Sequence, residues 1–307
     1  MKRTVISGAT GAVGMALIKK CIEEEAEVLV LCRKGSARAG RIPNHPLVQT
    51  LEVDLADYQA LENSNRKTWG VFYHLAWLGT TGESRDDALL QMQNVIYTLE
   101  AVRLAKRLGC HTFVGAGSQA EYGRFEGCLK GNTPTFPETG YGIAKLAAGQ
   151  MSRLLCKQLG MKHIWTRILS VYGPYDGEQS MVMSSVIKLL RGEIPAFTKG
   201  DQLWDYLYSR DAANALWLLG EKGKDGKIYC LGSGTAKPLK EYILQIRDAA
   251  APGSELEFGV VPYTGKQVMH LCADIRDLQE DVGFYPEVSF AEGIRETVAF
   301  AKRIEKL

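Results

Sequence analysis

The chain has 307 residues, 46% hydrophobic and 23% charged, which is typical of a globular protein with one large domain or two modest ones. A formal net charge of +2 argues against nucleic acid as the main partner. No apolar run approaches the roughly 18 residues of a membrane span, and the seven cysteines show neither a CxxC pair nor metal-type spacing. We therefore expect a cytoplasmic protein with free thiols, no metal site, and neither a membrane nor nucleic acid as a partner.

The first chemical motif is a glycine-rich turn near the N-terminus. Residues 4–6 predict a strand and residues 12–24 an amphipathic helix, with the glycines at their junction. Without a Cβ, the backbone can turn tightly and let a pyrophosphate lie against the helix N-terminus. The GxxGxxG spacing is a variant of the dinucleotide-binding pattern. The predicted cofactor contacts of this turn are Gly8, Thr10, Gly11, Ala12, Val13 and Gly14.

Strand-like and helical runs alternate along the first half of the chain. This alternation predicts an α/β fold, with a Rossmann-like doubly wound parallel sheet covered by helices on both faces. The predicted strands are residues 4–6, 27–32, 49–53, 71–75, 112–115 and 164–169, and the predicted helices are residues 12–24, 85–108 and 141–159. The apolar stripe of the second helix is assigned to the core rather than to a subunit interface.

The alternation is lost after about residue 172, where glycine, proline and aromatic residues interrupt short segments. A smaller α/β substrate-binding lobe is predicted to begin there. A helix at 209–219 and a strand at 228–231 return the chain to the first domain. The predicted dinucleotide-binding Rossmann domain comprises residues 1–171 and 209–232, and the predicted substrate-binding lobe comprises residues 172–208 and 233–307.

Three residues predict the chemistry. Ser118 follows the fifth predicted strand, and Tyr141 and Lys145 lie four residues apart on one face of a helix. Ligands of parallel sheets bind at the carboxyl ends of the strands. A nearby ammonium group favours the phenolate and is expected to lower a tyrosine pKa that is ordinarily about 10. The tyrosine can then exchange a proton with a carbonyl or carbinol oxygen that the serine hydroxyl holds, which predicts oxidoreduction with a nicotinamide cofactor.

The end of the second predicted strand bears on the choice of cofactor. An acidic residue there would accept a hydrogen bond from the 2′-hydroxyl of NAD, but the chain has Arg33 and Lys34. Guanidinium and ammonium groups attract a 2′-phosphate. The sequence therefore favours NADP(H) over NAD(H).

The chain resembles the extended short-chain dehydrogenases/reductases, in the nucleotide-sugar epimerase/dehydratase/ketoreductase group, over nearly its full length. The matching segments include residues 7–14, 53–55, 74–76, 117–123, 141–145, 167–174, 202–211 and 274–283. The resemblance implies further cofactor contacts at Asp54, Leu55, Leu75, Ala76, Trp77 and Asn94. It implies substrate contacts at Gln119, Ser170, Val171, Tyr172, Gln202 and Trp204. It also implies a homodimer formed through the helices that begin near Arg85 and Tyr141, and it leaves Arg167 open to interpretation as a structural ion-pair partner.

One departure from the family pattern narrows the reaction. Sugar dehydratases carry aspartate and glutamate after the serine or threonine, whereas this chain has Gln119 and Ala120. Dehydration is therefore not expected. The favoured function is an NADPH-dependent reductase of a nucleotide-activated 4-keto (6-deoxy) sugar, with Tyr141 as general acid. Two alternatives stay open: an NAD-retaining nucleotide-sugar 4-epimerase and a non-catalytic dinucleotide sensor.

Overall fold

A parallel sheet of seven strands forms the centre of the protein in the computed structural model, which describes residues 2–63, 67–265 and 267–305. The strands of the described residues are β1 Arg3–Ser7, β2 Glu27–Cys32, β3 Val48–Glu52, β4 Val71–His74, β5 Thr112–Ser118, β6 Lys162–Ile168, β7 Ser170–Tyr172, β8 Ala196–Phe197, β9 Leu203–Trp204, β10 Tyr206–Tyr208, β11 Ile228–Leu231, β12 Lys237–Pro238 and β13 Glu257–Phe258. The order across the sheet is β3-β2-β1-β4-β5-β6-β11, which confirms the predicted Rossmann-like doubly wound sheet.

Helices cover the sheet and build a second lobe. They are α1 Ala12–Glu23, α2 Ala88–Arg107, α3 Gly140–Gln158, α4 Met181–Leu190, α5 Ser209–Lys222, α6 Leu239–Ala250, α7 Arg276–Val282 and α8 Phe290–Glu305. Side-chain caps fix two of the helix starts near the cavity: Asp87 accepts a hydrogen bond from the N–H of Leu90, and Thr139 accepts one from the N–H of Gly142. Because Asp87 caps α2, that helix begins at Ala88, three residues after its predicted start.

Strand β5 extends three residues beyond its predicted end at residue 115. The sequence pattern missed this extension because packing requires glycine at two positions of the strand. A side chain at Gly115 or Gly117 would overlap the Trp165 indole, which crosses this part of the sheet. The sequence pattern at 116–118 therefore lacks the apolar side chains by which a buried strand is recognised. The strand continues to Ser118 and delivers that residue to the carboxyl edge of the sheet.

The second lobe has its own core, formed by α4, α6 and α8 with aromatic residues of β7 and β10. Strand β7 pairs in parallel with β10 beside this core. Helix α7 packs elsewhere: Leu278 and Val282 belong to the main core, which they share with α5 and β11. The division into two domains remains a prediction. Helix α7, which the prediction assigned to the second lobe, packs against the domain that contains the sheet.

The apolar stripe of α2 divides between core and surface. Val95 and Val102 are buried, as predicted, but Leu89, Met92 and Ile96 are 84%, 58% and 47% exposed. Assignment of the whole stripe to the core was therefore wrong. Helix α3 carries a similar exposed set, Ile143, Met151 and Leu154. In the described part of the chain, no helix is long and apolar enough to cross a membrane.

Candidate active site

The glycine turn between β1 and α1 has the shape that a dinucleotide requires. Gly8 has φ +72°, and a Cβ on it would overlap the backbone of Ala76 beyond β4. A Cβ on Gly14 would overlap the backbone of Ala9 within the turn itself. Gly11, in contrast, has open space on the side where a Cβ would lie, with no neighbouring atom within 4 Å, and no side chain caps α1. The first residues of α1 line an open cavity, which fits a pyrophosphate bound at the helix N-terminus.

A cavity of about 300 Å³ opens at the carboxyl ends of β1, β4 and β5. It brings together many of the residues predicted for cofactor and catalysis: Gly8, Gly11, Ala12, Val13, Gly14, Leu75, Trp77, Ser118, Tyr141, Lys145 and Val171. Its lining also includes residues that the sequence reasoning did not single out: Thr80, Ala116, Gly117, Ile168, Leu169 and Asp176. The predicted residues that do not line it are Thr10, Arg33, Lys34, Asp54, Leu55, Ala76, Asn94, Gln119, Ser170, Tyr172, Gln202 and Trp204.

Lys145 is buried in the wall of this cavity. Its ammonium donates a 2.6 Å hydrogen bond to the carbonyl of Ala116 and lies 3.8 Å from the ring centroid of Trp77. Burial lowers the pKa of Lys145 to about 7, although the charge of Glu121 opposes that shift. The side chain is held in one position and titrates near neutrality.

Tyr141 lies beside this lysine, one helical turn earlier. Burial raises the pKa of Tyr141 above its ordinary value of 10, and the hydrogen bond with Ser118 and the charge of Arg85 only partly oppose it. The Lys145 ammonium is 5.7 Å from the Tyr141 ring centroid. The prediction that the ammonium lowers this pKa was therefore wrong, because desolvation of the phenolate outweighs its attraction to nearby charges. Tyr141 is therefore neutral and protonated at pH 7.

Arg85 is a neighbour of Tyr141 that the sequence reasoning did not assign to the site. Its guanidinium lies 4.3 Å from the Tyr141 ring centroid and donates a 2.9 Å hydrogen bond to the carbonyl of Thr80. Trp77 meets another side of the same ring edge-on, with centroids 6.0 Å apart. The phenol ring is held between these two side chains.

The buried carboxylate of Glu121 holds the backbone of Ser118 in place. Glu121 accepts hydrogen bonds from the N–H of Ser118 at 2.8 Å and the indole N–H of Trp165 at 3.0 Å. Its other oxygen pairs with the guanidinium of Arg167 at 2.7 Å. The interpretation of Arg167 as a structural ion-pair partner is confirmed. Glu121 was missed, although its position three residues after Ser118 in a predicted motif was an available signal.

Two buried amides on α2 shape the loop that follows β4. Asn94 donates to the carbonyl of Leu78 at 2.9 Å and accepts from its N–H at 2.9 Å. Gln91, which was not predicted, accepts a 2.9 Å hydrogen bond from the indole N–H of Trp77 and donates to the carbonyl of Gly79 at 2.8 Å. Asn94 therefore fixes the backbone of Leu78, the residue after Trp77 in the cavity wall.

The two basic residues predicted to bind the 2′-phosphate have different surroundings in the structure. Arg33 is exposed, whereas the Lys34 ammonium forms a 2.6 Å ion pair with Asp57. Asp54 lies at the start of the short 3₁₀ turn Leu55–Ala60 that contains Asp57. A third cation, Arg41, donates a 3.3 Å hydrogen bond to the carbonyl of Thr10 in the glycine turn.

The predicted substrate residues are only partly brought to the cavity. Val171 lines it, and its neighbour Ser170 accepts a 2.8 Å hydrogen bond from the indole of Trp204. Tyr172 and Gln202 are 1% and 2% exposed. Neither of them lines the cavity, and their assignment as substrate contacts stays a prediction.

Asp176 supplies a carboxylate at the cavity that was not predicted. It accepts hydrogen bonds from the N–H of Gly177 at 2.8 Å and the hydroxyl of Ser180 at 2.7 Å. Burial raises the pKa of this carboxyl group, while both hydrogen bonds oppose the rise.

Residues 4–232 match the model of the NAD dependent epimerase/dehydratase family. The chain belongs to this family. Among curated members, it is 23% identical over 304 residues to a dTDP-glucose 4,6-dehydratase of Streptomyces antibioticus, covering 96% of this chain and 90% of the relative. It is 25% identical over 306 residues to a putative UDP-glucose 4-epimerase of Methanocaldococcus jannaschii, covering 97% and 98%.

Solved structures of epimerase/dehydratase family proteins share the fold at low identity. The UDP-glucose 4-epimerase of Thermotoga maritima with UDP-glucose has a TM-score of 0.87 at 22% identity, covering 99% of both chains. The dTDP-glucose 4,6-dehydratase of Streptomyces venezuelae with NAD has a TM-score of 0.86 at 22% identity, covering 99% of this chain and 98% of that one. The TM-scores establish a common fold, and because the identities are low, the chain's own residues must identify the reaction.

Proposed function

We propose that the protein is an NADPH-dependent reductase of a nucleotide-activated 4-keto (6-deoxy) sugar. The observation that carries the proposal is the single cavity in which Ser118, Tyr141 and Lys145 adjoin the glycine turn. Burial keeps Tyr141 protonated, and this is the state that carbonyl reduction requires of its acid. The nucleotide-sugar class is carried over from relatives that act on dTDP-glucose and UDP-glucose.

Each residue has a role that follows from its position. A bound nicotinamide supplies hydride to the carbonyl carbon. The Tyr141 hydroxyl gives its proton to the carbonyl oxygen, and the Ser118 hydroxyl orients that oxygen with a hydrogen bond. Lys145, fixed by Ala116 and Trp77, lies close to the phenol and accepts or releases a proton near neutral pH.

Reduction is favoured over dehydration by the turn that follows Ser118. Gln119 and Ala120 carry no acid, and the remaining carboxylate of that turn, Glu121, is buried against Arg167. Proton transfer to a leaving hydroxyl would break this ion pair, and an unpaired buried charge is costly.

A second candidate, an NAD-retaining nucleotide-sugar 4-epimerase, is favoured by one observation. The ion pair with Asp57 compensates the charge of Lys34, which leaves Arg33 as the member of this basic pair that can attract a 2′-phosphate. NAD is the nucleotide in the similar solved dehydratase. The two candidates share the same chemistry at Tyr141 and differ in whether the cofactor exchanges on each turnover.

The test is to release and identify the nucleotide that co-purifies, and then to titrate the cofactor-free protein with NADPH and NADH. Reduction of a dTDP-4-keto-6-deoxysugar is followed at 340 nm, and interconversion of UDP-glucose and UDP-galactose by chromatography. Exchangeable NADPH bound at least about tenfold more tightly, roughly 1.4 kcal/mol, together with keto-sugar reduction, would support the reductase. Retained NAD with epimerisation would replace it with the second candidate, and turnover of neither sugar with either cofactor would contradict both.

We also propose a homodimer formed through the exposed apolar residues of α2 and α3. Leu89, Met92 and Ile96 on α2 and Met151 and Leu154 on α3 present apolar side chains to solvent. A surface of this kind on neighbouring helices is typical of a protein–protein interface.

A further inference from the structure

Two cysteines that are 144 residues apart in the chain meet outside the cavity. The Sγ atoms of Cys128 and Cys272 are 2.9 Å apart. Cys128 is exposed, whereas Cys272 and the other five cysteines of the chain are buried. A reagent in solvent therefore reaches the pair from the Cys128 side.

The backbone around the pair has the geometry of neighbouring parallel strands. Leu129 and Ala273 form a parallel bridge, in which the N–H of Leu129 donates to the carbonyl of Cys272 at 2.7 Å and the N–H of Asp274 donates to the carbonyl of Leu129 at 2.8 Å. Cys128 directly precedes Leu129 and Cys272 directly precedes Ala273, so the two cysteines lie opposite each other on the neighbouring segments. Neighbouring strands lie about 4.8 Å apart, which is within the range of roughly 4.4–6.8 Å between Cα atoms that a disulfide spans.

A second contact holds the same two segments together. The N–H of Gly127 donates a 2.5 Å hydrogen bond to Nδ1 of His270. The two segments are therefore hydrogen-bonded on both sides of the cysteines, before them through Gly127 and His270 and after them through the parallel bridge. Formation of a covalent bond between the sulfur atoms would require little backbone movement.

We propose that Cys128 and Cys272 form a reversible disulfide when the protein meets hydrogen peroxide. The Cys128 thiolate attacks one peroxide oxygen and breaks the O–O bond, which gives a sulfenic acid and, with the thiol proton, one water. The Cys272 sulfur then attacks the Cys128 sulfur, the S–S bond forms, and the sulfenic oxygen leaves with the Cys272 proton as a second water. Two electrons pass from the thiols to the peroxide, and a dithiol reductant reverses the change.

The disulfide would connect the segment between Ser118 and Tyr141 to the segment that precedes α7. Cys128 lies in the connection between Ser118 and Tyr141, where the carbonyl of Lys130 accepts a 2.7 Å hydrogen bond from the Tyr122 hydroxyl. Cys272 precedes Ala273, whose N–H donates to the carboxylate of Asp205 at 3.0 Å. The bond would close a loop of more than a hundred residues, and we expect it to raise the melting temperature by about 5 °C.

The experiment treats the full-length reduced protein with hydrogen peroxide, blocks remaining thiols with iodoacetamide, and maps unreduced peptides by mass spectrometry. We expect a peptide that joins Cys128 to Cys272 within one chain, a loss of two hydrogens, a higher melting temperature, and reversal of all three by dithiothreitol. Cys128→Ser, at an exposed position, should abolish the cross-link and the melting shift while the reduced protein melts as wild type. Cys32→Ala, which removes a buried thiol elsewhere, should retain both.

Two outcomes would overturn the proposal. One is oxidation of Cys128 to a sulfinic acid, or its attachment to a second chain, while Cys272 remains alkylatable after unfolding. The other is an unchanged melting shift in Cys128→Ser, which would show that peroxide acts at another residue.

Discussion

Arg167 and Glu121 form an ion pair of 2.7 Å beneath Ser118, and their side chains are only 3% and 1% exposed. The same carboxylate accepts the N–H of Ser118, so the pair connects β6 to the last residue of β5. Arg167 is opposite Gly117 in the parallel register of these strands. The position of Ser118 therefore depends on a buried charge that must remain paired.

Removal of one partner should destabilise the protein strongly. In Arg167→Met the Glu121 carboxylate remains buried without its counter-ion, and we expect a loss of about 3–5 kcal/mol in the free energy of unfolding. Urea denaturation measures it. The matched control is Arg210→Met, which removes an exposed arginine paired with Glu292 and Glu296 and should cost less than about 1 kcal/mol. Equal losses in the two variants would contradict the structural role of the buried pair.

The sequence predicted those parts of the site that are encoded locally. The glycine run and the Tyr141-Lys145 spacing are each contained in a few residues, and the structure brings both to one cavity. Glu121 and Arg167 are separated by 46 positions, and their pairing follows from the register of β5 and β6, which no local pattern encodes. The direction of the Tyr141 pKa shift was missed for a related reason, since desolvation depends on how the whole cavity is packed.

The second lobe was less predictable than the sheet. Tyr172 lies in a segment that resembles a family motif, but its ring contacts the ring of Phe290, with centroids 4.6 Å apart. These residues are 118 positions apart, and their meeting is decided by how α8 packs on β7 and β10. The alternation of strands and helices, which predicted the sheet, carries no information about such a contact.

The low pKa of Lys145 should appear in the pH dependence of stability. Between a folded pKa of about 7 and the ordinary lysine value of 10.5 the unfolded chain binds more protons at this group, so its contribution to the free energy of unfolding rises with pH. The slope is at most ~1.4 kcal/mol per pH unit. Lys145→Met should remove this contribution, and the difference between wild type and variant should therefore change from pH 7 to 8.5.

Urea denaturation at several pH values measures this difference in the cofactor-free protein. The comparison stops at pH 8.5 because ionisation of cysteines in the unfolded chain lowers the stability of wild type and variants alike above it. Lys157→Met, on the exposed face of the same helix, should retain the wild-type slope. A constant difference between Lys145→Met and wild type would show that Lys145 keeps an ordinary pKa.

Loss of the Tyr141 hydroxyl should remove turnover without removing cofactor binding. Tyr141→Phe keeps the ring between Trp77 and Arg85, so the cavity keeps its shape, but no proton reaches the substrate oxygen. We expect kcat to fall about 10²–10⁴-fold and the Kd for the cofactor to change little. Steady-state kinetics and fluorescence titration measure the two effects, with Tyr285→Phe at an exposed position as the control. A sensor would keep its response to the cofactor in Tyr141→Phe and show no turnover in the wild type.

The two basic residues after β2 should contribute unequally to NADPH binding. Arg33 is exposed, whereas Lys34 is already paired with Asp57. Arg33→Ala should therefore weaken NADPH binding about tenfold, about 1.4 kcal/mol, with little change for NADH, and Lys34→Ala should have a smaller effect. Asp57→Ala should release the Lys34 ammonium and strengthen NADPH binding. Equal affinities of the wild type for NADPH and NADH would remove the basis for an NADP preference.

A charge placed on the exposed apolar face of α2 should separate the proposed dimer. Met92→Glu would bring a carboxylate into an apolar contact without a partner, which is costly for any interface that buries it. Size-exclusion chromatography with light scattering should show the mass of two chains for wild type and of one chain for Met92→Glu. Ile304→Glu replaces a residue of α8 that is 46% exposed, comparable to the 58% of Met92, and should remain dimeric. A wild-type mass of one chain at micromolar concentration would contradict the dimer, and a dimeric Met92→Glu would place its interface on another surface.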